Sequence, residues 1–363
     1  MDILSDKPIT GDQKAFMTGN EVVAWGALAA KADIMYGYPI TPQNEIMHYW
    51  TRLAPQYDKK FLQTEDEISA GFTTVGGVLA GKKGFSATAG PGNTLFQEAI
   101  SMAEMMRVPT VMAITQRGGP STATVIYSQQ EVTMTSYGGN GEGFRIVYST
   151  ATHQELFDYT IKSFNAAWKY RFPAFVLGDG YQAKMREPLT MYDPEEKGIE
   201  LIKPEASVGM EGVPGIDREV AHLRNTYNTE DELYEVVMDL AKAYEEIAPE
   251  VVEYEEYKTD DAEVLLTGHG VVNRACQAAV DILREQGIKA GAFRPITLRP
   301  FPEQELRQAV AKPDKLLVIE SAHGQFKRQV TDALYGETIE MDTLYKPGMG
   351  VTAEEIVERV KSY

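Results

Sequence analysis

At residues 38–45 the chain reads YPITPQNE, with a proline on either side of Ile40-Thr41. The apolar run Asp33–Tyr38 predicts a strand, and the amphipathic run Pro42–Leu53 predicts a helix. Thr41 then stands at the helix cap, with proline in the first helical position. Such a junction lies at the carboxyl edge of a parallel sheet, where open α/β sheets bind ligands. Two interpretations stay open: Thr41 only caps the helix, or the helix end holds a carboxylate or phosphate.

The same alternation of short apolar and longer amphipathic runs extends from Glu21 to Asp179. It is typical of a parallel sheet covered by helices, so we expect one doubly wound α/β domain. The predicted strands are Asp33–Tyr38, Lys60–Thr64, Gly84–Ala89, Thr110–Thr115, Arg145–Ser149 and Ala174–Gly178. The predicted helices are Glu21–Ala32, Pro42–Leu53, Glu67–Ala80, Thr94–Met106, Gln130–Ser136 and His153–Tyr170.

The pattern changes after this domain. Glu187–Gly215 contains four prolines and predicts an irregular connection, Glu230–Ile247 predicts an acidic helix, and Ala248–Asp261 predicts a charged linker. A second α/β unit follows, with strands at Glu263–Thr267, Lys289–Ile296 and Leu316–Glu320 and helices at Val272–Gln286, Glu303–Ala311 and Ala353–Lys361. We therefore expect domains at residues 1–195 and 261–363, joined by a linker at 196–260.

Charge and cysteine content exclude several classes of protein. The 363 residues include 35 Lys and Arg against 53 Asp and Glu, a net charge of −18. This excess of acid argues against binding nucleic-acid phosphates or an anionic membrane surface. The single cysteine, Cys276, cannot supply a disulfide or an iron–sulfur cluster within the chain. Met1–Asp6 shows no signal-peptide pattern and no apolar run is long enough for a membrane helix, so we expect a cytoplasmic protein.

Three acidic residues, Glu65-Asp66-Glu67, stand where a strand meets a helix. The helix dipole alone accounts for acids in a first turn. Small residues follow, among them Ala70, Gly71 and Gly76-Gly77, so this helix could approach another surface closely. A carboxylate buried there would have a raised pKa and could exchange a proton with a nitrogen heterocycle.

Several shorter motifs are ambiguous on their own. The turn Gly90-Pro91-Gly92 is weak evidence for phosphate binding, and Arg117, after the strand Thr110–Thr115, could clamp a substrate carboxylate or pair with a surface acid. Gly178-Asp179-Gly180 resembles the start of a metal–diphosphate motif, but no Asn occurs between residues 180 and 225, so we interpret it as a strand-end turn. The histidines show no metal-ligand spacing, although His269 and His323 follow predicted strands and could face a ligand or a subunit.

Together these blocks resemble the α subunit of 2-oxoacid:ferredoxin oxidoreductases, which are thiamine-diphosphate enzymes. Tyr38–Pro42, Gln63–Gly77, Gly90–Gly92 and Arg117–Thr122 match the family's first domain. Arg294–Pro302 and Val318–Gln325 match its second. The resemblance implies a pyrimidine-type thiamine-diphosphate-binding doubly wound domain, followed by a transketolase-C-terminal-like α/β domain.

The resemblance also implies roles for individual residues. Glu67 lies where the family has the catalytic glutamate that bonds N1′ of the aminopyrimidine, with Glu65 as the alternative if the register differs. Thr41 and Arg117 match the positions that hold the carboxylate of the 2-oxoacid. The other positions implied to contact the cofactor are Pro39, Ile40 and Gly90. No metal ligand is implied in this chain.

The implied reaction is a CoA-dependent oxidative decarboxylation that several subunits share. A β subunit would hold the diphosphate and Mg²⁺, and [4Fe–4S] clusters would lie on the β subunit and on a ferredoxin-like δ subunit. A γ subunit and ferredoxin complete the expected partners. The chain alone would be inactive, since half of the cofactor site is missing.

The stretch Ala123–Tyr127 carries no basic residue, which favours a branched-chain or aryl 2-oxoacid over 2-oxoglutarate. The continuation Pro42–Glu45 also resembles the branched-chain type. Two rival interpretations remain: a non-catalytic α/β subunit that binds a nucleotide or a partner, and one half of a thiamine decarboxylase or transketolase without a link to ferredoxin.

Overall fold

The computed structural model describes residues 7–208 and 223–363. Met1–Asp6 and the last part of the predicted connection Glu187–Gly215 lie outside the described residues. The helices, in chain order, are α1 (Gly19–Ala29), α2 (Asn44–Leu53), α3 (Glu67–Leu79), α4 (Pro91–Met105), α5 (Val132–Tyr137), α6 (His153–Tyr170), α7 (Gly180–Lys184), α8 (Glu230–Val251), α9 (Val272–Glu285), α10 (Glu303–Ala309), α11 (Gln325–Ala333) and α12 (Ala353–Lys361).

The strands are β1 (Gln13–Thr18), β2 (Ile34–Gly37), β3 (Lys60–Gln63), β4 (Gly84–Thr88), β5 (Val111–Gln116), β6 (Ile146–Ser149), β7 (Ala174–Asp179), β8 (Arg186–Met191), β9 (Tyr254–Tyr257), β10 (Val264–Thr267), β11 (Ala290–Pro295), β12 (Thr297–Arg299), β13 (Lys315–Glu320) and β14 (Glu340–Tyr345). They form sheets of seven, five and two strands.

The seven-stranded sheet has the order β12-β6-β7-β5-β4-β2-β3. Its six strands from β2 to β7 run parallel, and β12 pairs antiparallel with β6. Helices cover both faces, which confirms the predicted doubly wound α/β fold. One face buries Trp50 edge-on against Phe85, with the ring centroids 4.9 Å apart. All six strands predicted for this part of the chain are present.

The five-stranded sheet has the order β14-β13-β10-β11-β9. Strands β14, β13, β10 and β11 run parallel to one another, and β9 pairs antiparallel with β11. Because β9 lies within Ala248–Asp261, that stretch is not simply the charged linker that its acidic residues suggest. Tyr254 stacks on Phe293 with the ring centroids 5.5 Å apart, so the apolar side of this strand is held by a neighbouring ring.

Four helices begin elsewhere than the sequence suggests: α1 and α5 differ from the predicted starts by two residues each, and the shifts of α2 and α4 affect the site. α2 begins at Asn44, after a turn at Thr41–Gln43, so Thr41 does not cap it. α4 begins at Pro91, because Gly90 adopts a positive φ of 55° and serves as its N-cap. Gly92 is therefore a helical residue, and the predicted start at Thr94 is three residues late.

A two-stranded antiparallel sheet of β1 and β8 lies apart from the two larger sheets. β8 falls in the stretch beginning at Glu187 that was predicted to be irregular. Within the described ranges, no helix has the length and apolar character needed to cross a membrane.

Candidate active site

Three neighbouring strands carry the predicted site residues at their carboxyl ends. β2 leads to Thr41, β4 leads to Gly90 and β5 leads to Arg117. Since β5, β4 and β2 are adjacent and parallel, their ends meet at one edge of the sheet. The topology therefore brings together residues that are 76 positions apart in the chain.

Arg117 ties these strand ends together. Its side chain is only 5% exposed, and its Nη1 donates to the Thr41 carbonyl at 2.7 Å while its Nη2 donates to the Thr122 carbonyl at 2.9 Å. The third guanidinium nitrogen, Nε, is buried without a partner among the described residues. The guanidinium thus bonds neutral carbonyls rather than a surface acid, and its Nε remains available to an anion.

Thr41, Pro39 and Ile40 form the segment between β2 and α2. Thr41 and Pro39 are exposed, and the carbonyl of Ile40 accepts a hydrogen bond from the Asn44 N–H at 2.9 Å. Since Thr41 does not cap α2, its hydroxyl is not needed to start that helix. This segment therefore presents exposed side chains beside the Arg117 guanidinium.

Glu67 is the first residue of α3 and the only buried member of its acidic run. Asp66 is the N-cap, and its Oδ1 accepts from the Ser69 N–H at 2.7 Å. Glu65 is exposed and precedes the helix. Glu67 is 6% exposed, and burial, with a smaller contribution from the charge of Asp66, raises its pKa above the ordinary range.

Because Gly92 has no side chain, the carboxylate of Glu67 can lie against the first turn of α4. A Cβ at Gly92 would lie 2.8 Å from Glu67 Oε1 and 2.1 Å from Thr88 Oγ1. Two residues away, a Cβ at Gly90 would lie 2.7 Å from Arg117 Nε. The Gly90–Gly92 turn therefore separates the two predicted functional groups, with Arg117 against one glycine and Glu67 against the other.

Glu131 is a buried site residue that the sequence analysis missed. It is 5% exposed, its Oε1 accepts from Gly90 N–H at 2.8 Å and from Asn93 Nδ2 at 3.2 Å, and its Oε2 accepts from Arg117 N–H at 2.8 Å. Burial raises its pKa to about 7. No motif marks Glu131 in the sequence, because an acid before a short helix is ordinarily a surface residue.

Asp179 is a second buried carboxyl at the same sheet edge. It caps α7 by accepting from Gln182 N–H at 2.9 Å, and burial raises its pKa to about 7. Gly178-Asp179-Gly180 therefore forms a strand-to-helix turn, and its carboxylate is already committed to a helix cap. Among the described residues, no cluster of three or more His, Cys, Asp or Glu could hold a metal ion.

Of the two histidines predicted to face a ligand or subunit, His269 does not. It is fully buried, its Nδ1 lies 2.9 Å from Ser149 Oγ, and burial lowers its pKa to about 3. It therefore remains neutral and packs between the two larger sheets, where its ring contacts Phe326. His323 is exposed and its ring packs against Tyr345.

Two family models match the chain. The thiamine-diphosphate-binding model of pyruvate flavodoxin/ferredoxin oxidoreductases matches residues 25–256. The model of core domain II of pyruvate:ferredoxin oxidoreductase matches residues 262–356.

Curated relatives with similar sequences carry two different substrate names. Ketoisovalerate oxidoreductase subunit VorB of Methanothermobacter marburgensis is 34% identical over 313 residues, covering 86% of this chain and 87% of that protein. 2-Oxoglutarate synthase subunit KorA of Methanothermobacter thermautotrophicus is 32% identical over 376 residues, covering 96% and 98%.

Solved structures share the fold. The 2-oxoglutarate:ferredoxin oxidoreductase from Magnetococcus marinus, solved with 2-oxoglutarate, coenzyme A and succinyl-CoA, matches with a TM-score of 0.83 at 26% identity. That match covers 96% of this chain, which spans 65% of the solved chain. A split-gene transketolase, in an inactive tetramer, matches with a TM-score of 0.57 at 13% identity, which shows a similar fold alone.

Proposed function

The chain belongs to the pyruvate flavodoxin/ferredoxin oxidoreductase family as an α-type subunit of a 2-oxoacid:ferredoxin oxidoreductase, and on that premise we propose how it divides the work of the active site. It holds the aminopyrimidine end of thiamine diphosphate with Glu67, and the carboxylate of a branched-chain or aryl 2-oxoacid with Arg117 and Thr41. The observation that carries this proposal is that Glu67 and Arg117 lie against opposite ends of the Gly90–Gly92 turn.

The residues around Glu67 suit the aminopyrimidine of the cofactor. Thr88 Oγ1 is buried without a hydrogen-bond partner among the described residues. Gly92 leaves a space beside the Glu67 carboxylate, and any side chain at position 92 would fill that space. Burial raises the pKa of Glu67, which favours a carboxyl that holds a proton or shares one with a ring nitrogen. Pro39, Ile40 and Gly90 line the same strand ends and complete the proposed cofactor contacts. When bound, thiamine diphosphate supplies the nucleophilic carbon and the electron sink for decarboxylation.

The residues around Arg117 suit a carboxylate. Its guanidinium is fixed by the Thr41 and Thr122 carbonyls, so little side-chain entropy is lost when an anion binds. The exposed Thr41 lies beside it and offers a hydroxyl to the same anion. Holding the carboxylate at one end of the Gly90–Gly92 turn orients the keto carbon toward the cofactor at the other end.

The diphosphate, Mg²⁺ and clusters belong to partner subunits in this proposal. The carboxylate of Asp179 caps α7, and the single cysteine, Cys276, is buried in the hydrophobic core of the second α/β unit. Exposed apolar residues lie in the elements that flank Glu67, namely Leu62, Ile68 and Leu95. They suit a β subunit that covers this edge and brings the diphosphate, Mg²⁺ and a [4Fe–4S] cluster. A γ subunit, a ferredoxin-like δ subunit, ferredoxin and coenzyme A complete the proposed system.

The loop after Arg117 favours an apolar substrate side chain. Val125 and Ile126 are exposed, the Ile126 carbonyl lies over Gly180, and the Tyr127 ring meets the Tyr181 ring edge-on. No Lys or Arg occurs between Gly118 and Gln130 to pair with a second carboxylate. A branched or aryl side chain can pack here, whereas the distal carboxylate of 2-oxoglutarate would lack a cation in this loop.

The test is a substrate panel on the assembled complex. The chain would be produced anaerobically with the proposed β, γ and δ partner subunits, and viologen reduction would be measured with CoA and each 2-oxoacid. We expect kcat/KM for 2-oxoisovalerate or phenylglyoxylate to exceed that for 2-oxoglutarate at least tenfold. A preference for 2-oxoglutarate would refute the substrate assignment, and a Glu67→Gln complex of unchanged activity would refute the catalytic one.

A further inference from the structure

We propose that Glu131 is a positioning residue of this active site: its buried carboxylate sets the spacing between the Gly90–Gly92 turn and the Arg117 turn. The inference rests on the proposed function, because it takes Glu67 and Arg117 as the groups that the spacing must hold. Nothing in the sequence pattern assigns a role to Glu131, and both oxygens of its carboxylate already accept hydrogen bonds from the chain.

One carboxylate joins the ends of two strands. Oε1 accepts from the Gly90 N–H that follows β4, and Oε2 accepts from the Arg117 N–H that follows β5, each at 2.8 Å. Asn93 of α4 donates a third bond at 3.2 Å. Because both oxygens are used, the two turns are fixed at the width of a single carboxylate group.

A third strand end is joined through the backbone of the same residue. Gln116 Oε1 accepts from the Glu131 N–H at 3.4 Å, and Gln116 Nε2 donates to the Gly178 carbonyl at 3.2 Å. The ends of β4, β5 and β7 are therefore connected by one short network around Glu131. Such a network is stiff only while every member is satisfied.

The position of Glu131 is itself fixed by the second α/β unit. Just before it, Gln129 Nε2 donates to the His269 carbonyl at 2.7 Å, and Gln129 Oε1 accepts from Ser321 N–H at 3.1 Å. On either side of it, Gln325 donates to the Gln130 carbonyl at 2.7 Å and accepts from Thr133 N–H at 3.0 Å. The second α/β unit therefore positions the segment that contains Glu131, and Glu131 sets the distance between the strand ends of the first unit.

The network requires two acceptor atoms. A glutamine at position 131 would place an NH₂ group against either the Gly90 N–H or the Arg117 N–H, so that two donors would face each other. One turn would then move away. Because Gly90 contacts Arg117 and Gly92 contacts Glu67, a shift of this turn changes the geometry of both functional groups together.

The experiment uses the assembled complex with Glu131→Gln, Glu131→Asp and the control Asp158→Asn. Asp158 is a partly buried carboxyl with two donors, Tyr192 OH and Gln154 Nε2, and it lies on α6 away from the strand ends. We expect Glu131→Gln to raise the KM for the 2-oxoacid at least tenfold and to lower kcat, with Glu131→Asp intermediate because it keeps both oxygens. Asp158→Asn should leave KM within twofold.

A change in KM is the decisive readout, because a merely structural role would reduce the active fraction and kcat while leaving KM unchanged. If Glu131→Gln fails to assemble, the KM of Glu131→Asp decides. An unchanged KM in the variant that assembles would overturn the inference. The proposed function is tested separately by Arg117→Ala. If Arg117→Ala has an unchanged KM for the 2-oxoacid, the proposed function is refuted. If Arg117→Ala has a raised KM but the Glu131 variants have a normal KM, only the inference about Glu131 is refuted.

Discussion

Replacing Gly92 with alanine should disable the site while leaving the fold nearly intact. The added methyl would lie 2.8 Å from Glu67 Oε1, 3.0 Å from Glu67 Cγ and 2.1 Å from Thr88 Oγ1. To reach an ordinary contact of 3.4 Å, the Glu67 oxygen must retreat by about 0.6 Å and the Thr88 oxygen by about 1.3 Å. Both atoms are on the proposed cofactor side of the turn.

The expected effects on stability and on activity differ in size. Overpacking costs ~1–3 kcal/mol, and alanine is favoured over glycine inside a helix by about 1 kcal/mol, so the net loss of stability is roughly 0–2 kcal/mol. A catalytic group displaced by about 1 Å can cost on the order of 100-fold in rate. We therefore expect kcat to fall roughly 10- to 100-fold with only a small drop in melting temperature.

Gly76→Ala is the matched control. Gly76 lies on α3 like Glu67, its φ is not positive, and a Cβ there would meet no atom within 4 Å. This variant should gain roughly 0.5–1 kcal/mol of stability and keep its activity. Both variants would be measured by thermal melting of the chain and by viologen reduction in the complex. Full activity in Gly92→Ala would refute the placement of Glu67 beside this turn in the working enzyme.

Three further predictions concern single side chains. Glu67→Gln should lower kcat about 10²- to 10⁴-fold in the assembled complex. Glu65→Gln, at the exposed neighbouring residue, should leave kcat unchanged. A loss of kcat in Glu65→Gln but not in Glu67→Gln would assign the catalytic role to Glu65. Arg117→Ala should raise the KM for the 2-oxoacid roughly 10- to 100-fold, since a hydrogen bond to a charged group contributes about 1.5–3 kcal/mol, while the exposed Arg186→Ala leaves it unchanged. The raised pKa of Asp179, about 7, means that the folded chain holds this proton more tightly than the unfolded chain, so ionisation removes stability as pH rises from about 4 to about 7. Asp179→Asn keeps the helix cap and should lessen the fall in melting temperature over that window, while the raised pKa of Glu131 maintains part of it; a curve parallel to that of the unsubstituted chain would contradict this.

Hydrophobic periodicity was sufficient to predict the parallel strands β2 to β7, β10, β11 and β13, including the edge strand β3. It missed the antiparallel edge strands β9 and β12 and the parallel edge strand β14. Buried strands such as β5 begin with a continuous apolar run, here Val111–Ile114, and this pattern is hard to mistake. β9 reads YEEY and is half exposed, while β12 has three residues and pairs only with β6. Short edge strands of this kind form because a partner strand is already in place, and that partner is distant in the sequence.

The start of α4 shows why turn residues mislead. Gly90-Pro91-Gly92 has the composition of a turn, but only Gly90 adopts a turn conformation, and Pro91 occupies the first helical position that proline favours. Gly92 is needed inside the helix because Thr88 and Glu67 lie where its side chain would be. The sequence pattern showed the glycine but not its reason, which depends on tertiary contacts.

In a chain of net charge −18, the proposed anion site at Arg117 differs from the other buried arginines in its hydrogen-bond partners. Among the described residues, Arg145 is buried against Glu104, and Arg294 is buried against Glu155 and Glu255. Arg117 is equally buried, yet its guanidinium bonds only carbonyls, because the nearby Glu131 bonds the backbone N–H instead. Burying a guanidinium that no carboxylate bonds directly is costly to the folded chain, and a bound carboxylate would reduce that cost. Under the proposed function, the stability lost at Arg117 in the free chain would be recovered as affinity for the substrate carboxylate.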